Sequence, residues 1–393
     1  MNLTRRSALL GLSAALTFGR ASLALANAPT DRRFIVIILR GGLDGMAAVV
    51  PYGDPALAGL RSEIVPPGPG QPRGLLDLGG FYGLYPTMTH SYEMFKAGEL
   101  APVHAVAGPY RTRSHFDAQD FMESGSDHRM DSGWLNRAVA ALDPSTRDAE
   151  KTAVAIGVTV PLLLRGPTRI ASWGPSSFRP PPEELYAQAA ALAAADPVIG
   201  PALASGLHED AYMRYTLGRK GLPHDGHDFV QLAVAAGKVL STEGGPRIAA
   251  IEMNGFDTHS NQPGLLQYLL PRLDSGLGAL KQNLGPAWRE TVVLTMTEFG
   301  RTAHADGTLG TDHGTASVAF VAGGAVAGGR VVATWPGLGP GRLLDNRDLE
   351  PTVDLRSVAK GLLKQHVGLG DAALAQVFPG SGSATPLMNL VHT

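Results

Sequence analysis

The chain has 393 residues, of which 44% are hydrophobic, and a formal net charge of −2 at pH 7. This length can bury a large core, and the near balance of charge argues against a nucleic-acid-binding surface. The sequence contains no cysteine, which excludes disulfides, thiolate metal sites and a cysteine nucleophile.

The N-terminal segment over 1–26 has the pattern of a targeting signal. Arg5 and Arg6 precede an uncharged stretch over 7–19, and a small-residue site follows at 24–26. The stretch is too short for a membrane anchor, so we expect a cleaved signal peptide and no anchor afterwards. The arginine pair favours the twin-arginine export machinery as a partner, with an ordinary secretory signal as the alternative. We therefore expect a periplasmic or secreted protein.

Short apolar runs alternate with longer helical patterns along the rest of the chain. Six runs predict strands covered on both faces: 34–39, 102–107, 154–158, 247–252, 291–297 and 317–322. Helical patterns fall at 183–195, 228–240, 265–284 and 355–366. This alternation predicts an α/β sandwich with parallel strands at its centre, formed by one domain over 27–393.

Polar side chains follow several predicted strands. They are Asp44 after 34–39, Asp257 and His259 after 247–252, Glu298 and Arg301 after 291–297, and Asp312 and His313 in the loop before 317–322. In open α/β sheets, ligands collect at the carboxyl ends of the strands. We therefore expect the carboxylates and imidazoles to converge in one pocket. Asp312 is the least constrained of them, because neighbouring residues in an extended loop point apart.

Each of these positions also has a simpler interpretation. An aspartate after a strand is often a turn former or a helix N-cap, and a single loop histidine is often a surface residue. The repetition at strand ends favours a metal site. Carboxylate and imidazole donors suit zinc or manganese, whereas magnesium or calcium suits an oxygen-rich subsite. The sequence thus predicts a divalent metal site holding one or two ions.

A candidate nucleophile, Ser114, lies in "YRTRSHFDAQDFMESG", ahead of a helical run. One interpretation is a capping box in which Ser114 caps the helix and Asp117 reaches back. The other is catalytic, because a hydroxyl at a helix N-terminus lies where backbone N–H groups hold an anionic ester. Arg111 and Arg113 are close in sequence and are able to pair with such an ester.

The segment "HDGHD" over 224–228 presents a second arrangement of polar residues. His224 and His227 are candidate metal ligands, but the segment precedes a predicted helix. It is more simply a loop in which Asp228 lies near the helix cap. The chain lacks the G-x-S-x-G, H-E-x-x-H and P-loop motifs of other hydrolases and nucleotide-binding proteins.

Several blocks of sequence resemble the exported bacterial family called domain of unknown function 1501. They are "RGGLDG", "RSHFDAQDFMESG", "GFDTHSNQ", "TEFGRT", "TDHGTASVAFVAGGAVAGGRV" and "RDLEPTVDLRSVAKGLL". The family is grouped with the alkaline phosphatase and sulfatase superfamily. The resemblance therefore implies a three-layer α/β/α sandwich with a mainly parallel central sheet.

The resemblance also implies roles for the polar residues. Asp44 is similar to the acidic ligand after the first strand, and Ser114 to the nucleophile. Asp257 and His259 resemble an Asp-x-x-x-His ligand pair, although their spacing in "DTH" is shorter.

The remaining positions match less closely. Glu298 stands in "EFG" where the superfamily usually has an Asp-His pair, so the site implied here holds one ion or has lost its metal. His313 resembles the last histidine ligand. Asp312 either joins His313 at the metal or orients it.

These implied roles predict a metal-dependent hydrolase or transferase that acts on phosphate or sulfate esters outside the cytoplasm. Its partner would be an anionic ester, with Arg301 or Arg113 stabilising the anionic transition state. The alternative is a non-catalytic exported binding or assembly protein that keeps the fold and a degenerate metal site. A third reading is a metal-independent hydrolase that uses Ser114 with a free His115 or His313.

Overall fold

The computed structural model describes residues 31–142, 152–174 and 228–392, together with 188, 191–193, 196 and 216–217. The predicted signal peptide over 1–26 lies outside these residues, as do His224, His227 and most of the predicted helix over 183–195. Among the described helices, none combines the length and the apolarity needed to cross a membrane.

The described chain forms two sheets. The strands are β1 (Arg33–Leu39), β2 (Val49–Val50), β3 (Leu76–Asp77), β4 (Gly83–Leu84), β5 (Leu100–Ala107), β6 (Ala153–Ile156), β7 (Ala171–Trp173), β8 (Ile248–Met253), β9 (Thr291–Met296), β10 (Ser317–Ala322) and β11 (Val353–Asp354). Eight of them form the central sheet in the order β11-β5-β10-β9-β1-β8-β6-β7, and the order β2-β4-β3 forms a small second sheet. All six predicted strands are confirmed; the short strands β7 and β11 and the second sheet were not predicted.

Helices cover both faces of the central sheet. They are α1 (Gly45–Ala48), α2 (Leu57–Arg61), α3 (Thr89–Lys96), α4 (His115–Ser124), α5 (Trp134–Ala140), α6 (Phe229–Ser241), α7 (Gln262–Leu284), α8 (Leu355–Leu362) and α9 (Asp371–Val377). A π-helical turn over Leu363–Val367 follows α8, so the helix predicted over 355–366 is regular only in its first part.

Alternate residues of β1 enter two separate cores, because successive side chains of a strand point to opposite faces. Ile35, Ile37 and Leu39 pack with α3, α6 and α7. Phe34, Val36 and Ile38 pack with α5, α8 and α9 on the other face. The molecule is thus a three-layer α/β/α sandwich, as predicted.

One strand departs from the parallel arrangement, and this departure positions the candidate site. β1 pairs in parallel with β8 and β9, whereas β10 is antiparallel to both β9 and β5. The amino end of β10 therefore lies at the same edge as the carboxyl ends of β1, β5, β8 and β9. Loops that follow four strands meet the loop that precedes β10 at this edge.

Candidate metal centre at the carboxyl edge of the sheet

Four side chains from three loops meet at this edge, and we call them the histidine–aspartate cluster: His115, Asp257, His259 and His313. His115 begins α4, Asp257 and His259 follow β8, and His313 precedes β10. His313 Nε2 lies 2.9 Å from His115 Nε2 and 2.9 Å from His259 Nε2. Asp257 Oδ1 lies 3.4, 3.0 and 3.2 Å from the Nε2 atoms of His115, His259 and His313.

The opposite nitrogen of each imidazole contacts an oxygen atom. The acceptors are Glu298 Oε1 for His115 (2.9 Å), Asp312 Oδ1 for His259 (3.1 Å) and the Arg113 carbonyl for His313 (2.9 Å). Carboxylate and carbonyl oxygens only accept hydrogen bonds, so each Nδ1 carries the proton and donates it. Each Nε2 then presents a lone pair to the interior of the cluster.

This arrangement fits a bound cation. Three imidazole lone pairs and a carboxylate oxygen repel one another at these distances, and a positive charge between them removes the repulsion. A four-coordinate zinc ion with bonds of about 2.0 to 2.1 Å holds its donor atoms about 3.3 Å apart. For His115, Asp257 and His313, the three donor separations are 2.9, 3.4 and 3.2 Å. Donor atoms of His115, Asp257 and His313 all lie within 4.8 Å of one another, as a metal site requires, and His259 adjoins this group through Asp257 and His313.

Glu298 is not a member of the cluster; it contacts the nitrogen of His115 that faces away from the cluster. Its buried carboxylate accepts from His115, from Gln119 Nε2 at 2.9 Å and from the Gly41 N–H at 2.8 Å. Burial alone would raise the pKa of Glu298, but the hydrogen bonds from His115 and Gln119 outweigh it and hold this pKa below its usual value. The same contact raises the pKa of His115. Glu298 therefore orients His115.

Asp312 plays the corresponding part for His259. Its Oδ1 accepts from His259 Nδ1 at 3.1 Å, and its side chain is largely exposed. Asp312 and His313 thus serve the same cluster although they are neighbours in sequence, because Asp312 reaches the outer side of one imidazole while His313 supplies another. Orientation by an outer carboxylate is typical of metal-binding histidines.

Arg301 holds Asp257 in place. Its guanidinium is wholly buried and donates to Asp257 Oδ1 at 2.6 Å, and its other hydrogen bonds go to backbone carbonyls of the surrounding loops. Burial would raise the pKa of Asp257, but the hydrogen bond and charge of Arg301 lower it below its usual value. A buried guanidinium with all of these acceptors does not favour the expected contact between Arg301 and a substrate.

Asp44 does not lie in the cluster. Its carboxylate is 1% exposed, forms an ion pair with the buried Arg61 at 2.9 Å, and accepts from Gln262 Nε2 at 2.8 Å. It also caps α1 by accepting from the Ala47 N–H. The simpler interpretation of an aspartate after a strand, a helix cap, therefore describes Asp44, and its oxygens are committed to these donors.

Ser114 is the N-cap of α4, but its side chain makes no capping hydrogen bond. Asp117 does not reach back to Ser114; it accepts from the Tyr110 hydroxyl at 3.0 Å and from Arg129. The capping box is therefore wrong for this helix. The hydroxyl of Ser114, directly before His115, is left available for another role.

The two arginines near Ser114 are engaged in contacts of their own. Arg113 Nε donates to Asp348 Oδ2 at 2.8 Å, and the Arg113 carbonyl accepts from His313. Arg111 donates to the backbone carbonyls of Gly108 and Tyr110. Both side chains therefore organise the loop between β5 and α4.

The sequence pattern named His115 only as a possible metal-free partner of Ser114, not as a metal ligand, and it did not identify Gln119. A usable signal was present, because "RSHFDAQD" also follows a predicted strand, 102–107, and so lies at the same edge. His115 and Gln119 are four residues apart, which places them on one face of α4. Asp228 is the cap of α6, as predicted, and accepts from the Val230 N–H at 3.1 Å.

Fold and site together define a three-layer α/β/α protein with a candidate metal centre at the carboxyl edge of its sheet. The chain belongs to the family described as "Protein of unknown function (DUF1501)", which matches residues 103–378. No curated protein matches the chain.

Several solved structures resemble this chain at low similarity. The PH0037 protein from Pyrococcus horikoshii is 11% identical, with a TM-score of 0.36, over 76% of this chain and 86% of that one. BT1596, a 2-O GAG sulfatase, is 13% identical, with a TM-score of 0.33, over 75% and 65% of the two chains. A protein in the alkaline phosphatase superfamily from Vibrio parahaemolyticus is 11% identical, with a TM-score of 0.29, over 78% and 62%. At this level of similarity, no property of those proteins is transferred to this chain.

Proposed function

We propose that this protein is an exported, metal-dependent hydrolase or transferase that acts on phosphate or sulfate esters. The observation that carries the proposal is the convergence of three imidazole nitrogens on the carboxylate of Asp257, each with its opposite nitrogen held by an oxygen atom. The sequence blocks resemble the domain of unknown function 1501 family, and the grouping of that family with the alkaline phosphatase and sulfatase superfamily supports the ester substrate.

The cluster would hold the ion with four side chains, His115, Asp257, His259 and His313. All four donors come from one small region, so they favour a single ion over the two that the sequence also allowed. The imidazole-rich donor set suits zinc or manganese better than magnesium or calcium. When bound, the ion would supply the positive charge that lowers the pKa of an adjacent hydroxyl or water and neutralises an ester oxygen.

Ser114 would supply the nucleophile. It directly precedes His115 and begins a helix whose first N–H groups point toward an incoming anion. Its oxygen would bond to phosphorus or sulfur as the ester bond breaks, with the hydroxyl proton passing to solvent. The leaving alkoxide takes a proton from water, and a second water releases the acid and restores the hydroxyl. In the transferase form, an acceptor hydroxyl replaces this second water.

The deciding experiment is metal analysis of the full chain purified without chelator, together with hydrolysis of 4-nitrophenyl phosphate and 4-nitrophenyl sulfate. We expect about one zinc or manganese ion per chain and metal-dependent turnover of one ester. His313→Ala should lose both the metal and the turnover. His304→Ala is the matched control, because His304 is an exposed histidine outside the cluster.

A second candidate function is metal binding without catalysis, as in an exported binding or assembly protein. It is favoured by one observation: the guanidinium groups of Arg301 and Arg113, which were expected to stabilise a transition state, are both committed to protein acceptors. Stoichiometric metal without turnover of either ester, in a chain that folds, would support this candidate. Turnover without bound metal would contradict both candidates.

The export part of the proposal rests on Arg5 and Arg6. We propose that the twin-arginine route carries the protein after it has folded around its metal, and that the mature chain begins near Asn27. Replacing both arginines with lysine should leave the precursor in the cytoplasm, as cell fractionation would report. Unchanged export of the double variant would refute this route.

A further inference from the structure

We propose that Gln119 and Arg40 are positioning residues for the metal centre, acting through Glu298 on the nitrogen that His115 presents to the ion. This inference rests on the metal site of the proposed function. The proton of His115 is kept on Nδ1 by Glu298, which is held in turn by hydrogen bonds donated from Arg40 to Gln119 and from Gln119 to Glu298, outside the histidine–aspartate cluster.

Gln119 lies one helical turn after His115 on the same face of α4, so both side chains reach the same carboxylate. Gln119 Nε2 donates to Glu298 Oε1 at 2.9 Å, and His115 Nδ1 donates to the same oxygen at 2.9 Å. The amide oxygen of Gln119 accepts from Arg40 at 2.9 Å. Gln119 therefore links Arg40 to the carboxylate that orients His115.

Arg40 determines which way the amide of Gln119 points. An amide presents oxygen on one side and NH₂ on the other, whereas a guanidinium only donates. The oxygen of Gln119 must then face Arg40, and its NH₂ group must face Glu298. With the opposite orientation, the amide would set two donors against each other at Arg40 and two acceptors against each other at Glu298.

Arg40 is itself fixed by two carboxylates. Its Nε donates to Glu252 Oε1 at 2.7 Å, and its Nη2 lies 2.9 Å from Glu123 Oε1. Glu252 belongs to β8 and Glu123 to α4, so two elements hold the guanidinium of Arg40, which itself follows β1. Its third nitrogen, Nη1, donates to the amide oxygen of Gln119.

The hydrogen bonds therefore run in one direction, from Arg40 to Gln119 to Glu298. Glu298 Oε1 accepts hydrogen bonds from Gln119, Gly41 and His115. It stays an acceptor, which keeps the proton of His115 on Nδ1 and the lone pair on Nε2. A partner outside the ligand shell that fixes this state typically contributes 10- to 100-fold in metal affinity, and a residue one step further out should contribute about 10-fold.

The test is Gln119→Glu in the full chain. This change keeps the size of the side chain and replaces the donor that faces Glu298 by a second carboxyl group. The two carboxyl groups would then share a proton, which weakens Glu298 as the acceptor for His115. We expect zinc affinity, measured by chelator competition, to fall about tenfold. The absorption spectrum of the cobalt-substituted protein should also change, because the geometry at the ion changes.

Gln119→Met provides a second variant if the glutamate does not fold. It removes the donor without adding a charge, so its zinc affinity should lie between those of the wild type and Gln119→Glu. The matched control is Gln365→Glu. Like Gln119, Gln365 uses both ends of its amide, but it donates to backbone carbonyls and accepts from a backbone N–H in the π-helical turn after α8. It should leave the affinity and the cobalt spectrum unchanged.

The outcomes separate the two proposals. If the wild-type chain binds no metal, the proposed function fails and this inference fails with it. If the wild type binds zinc and both Gln119 variants bind it as tightly, with unchanged cobalt spectra, the metal site stands and the positioning role is overturned. A loss of thermal stability alone, with affinity retained, also overturns it.

Discussion

Two aspartates at the same edge of the sheet have opposite surroundings. Asp44 follows β1 in "RGGLDG" and Asp257 follows β8 in "NGFDTH", each shortly after a glycine. Asp44 is 1% exposed and lies against Arg61 and Gln262. The side chain of Asp257 is 46% exposed and lies against Arg301 and three imidazoles.

The difference shows that a position at the end of a strand does not by itself make a metal ligand. Both carboxylates have a buried arginine, but Arg61 takes both oxygens of Asp44. Arg301 takes one oxygen of Asp257, and the imidazoles surround that same oxygen. Asp44 therefore contributes to stability, and Asp257 to the candidate site.

The largest expected effect is on stability, from Asp44→Asn. The change removes the negative charge opposite Arg61 in a fully buried pair, which should cost about 3 kcal/mol of unfolding free energy. Denaturant unfolding of the metal-free chain measures this cost without a contribution from bound ion. Zinc affinity of the folded variant should stay at the wild-type value; a large loss of affinity would return Asp44 to the metal site.

Asp257→Asn should have the converse effect. The amide oxygen still accepts from Arg301, so the metal-free chain should lose about 1 kcal/mol or less. Zinc affinity should fall about 100-fold, because a neutral amide replaces the only carboxylate in the cluster. Chelator competition on both asparagine variants gives the comparison. Equal affinities for the two variants would contradict the separation drawn between the two aspartates.

Lowering the pH should stabilise the fold of the metal-free chain through His115 but should weaken zinc binding. Glu298 raises the pKa of His115 above its usual 6.5, so in the metal-free chain this contact stabilises the fold below about pH 6.5. That contribution is lost as pH rises through the folded value. Metal binding requires neutral imidazoles, so zinc affinity should instead fall about tenfold per pH unit below the pKa of His115.

Thermal unfolding with and without zinc, followed across this pH range, would check both signs. Burial lowers the pKa of His313, so protons should compete with the metal at His115 before they compete at His313. Zinc affinity that is independent of pH down to pH 5 would contradict the assignment of these imidazoles as ligands.

The smallest expected change in stability comes from Ser114→Ala. The hydroxyl makes no capping bond, so unfolding free energy should change by no more than about 0.5 kcal/mol. Ester hydrolysis should be abolished while the metal is retained. Asp228→Ala is the matched comparison, because Asp228 does cap α6 and its loss should cost about 1 kcal/mol. Retained hydrolysis by Ser114→Ala would assign the nucleophile to water.

The sequence by itself determined six strands of the central sheet, the loops that follow them and the kinds of donor available. The run "FIVIIL" in β1 and similar runs elsewhere predict covered strands because continuous apolarity is a local property. The placement of Asp257 and His259 at this edge followed from their position directly after β8. The cap at Asp228 was also local, since a cap contacts an N–H two residues away.

The tertiary structure alone decided which of those donors lie in the cluster and which lie outside it. The antiparallel sense of β10 depends on the path of the chain between β9 and β10, and it is what places Asp312 and His313 at the shared edge. The burial of Asp44 depends on Gln262, which is 218 residues away in sequence. His115 lies in the cluster, and Glu298 contacts the side of His115 that faces away from it, because α4 is packed against loops from distant strands. Such contacts are long-range, and no local pattern encodes them.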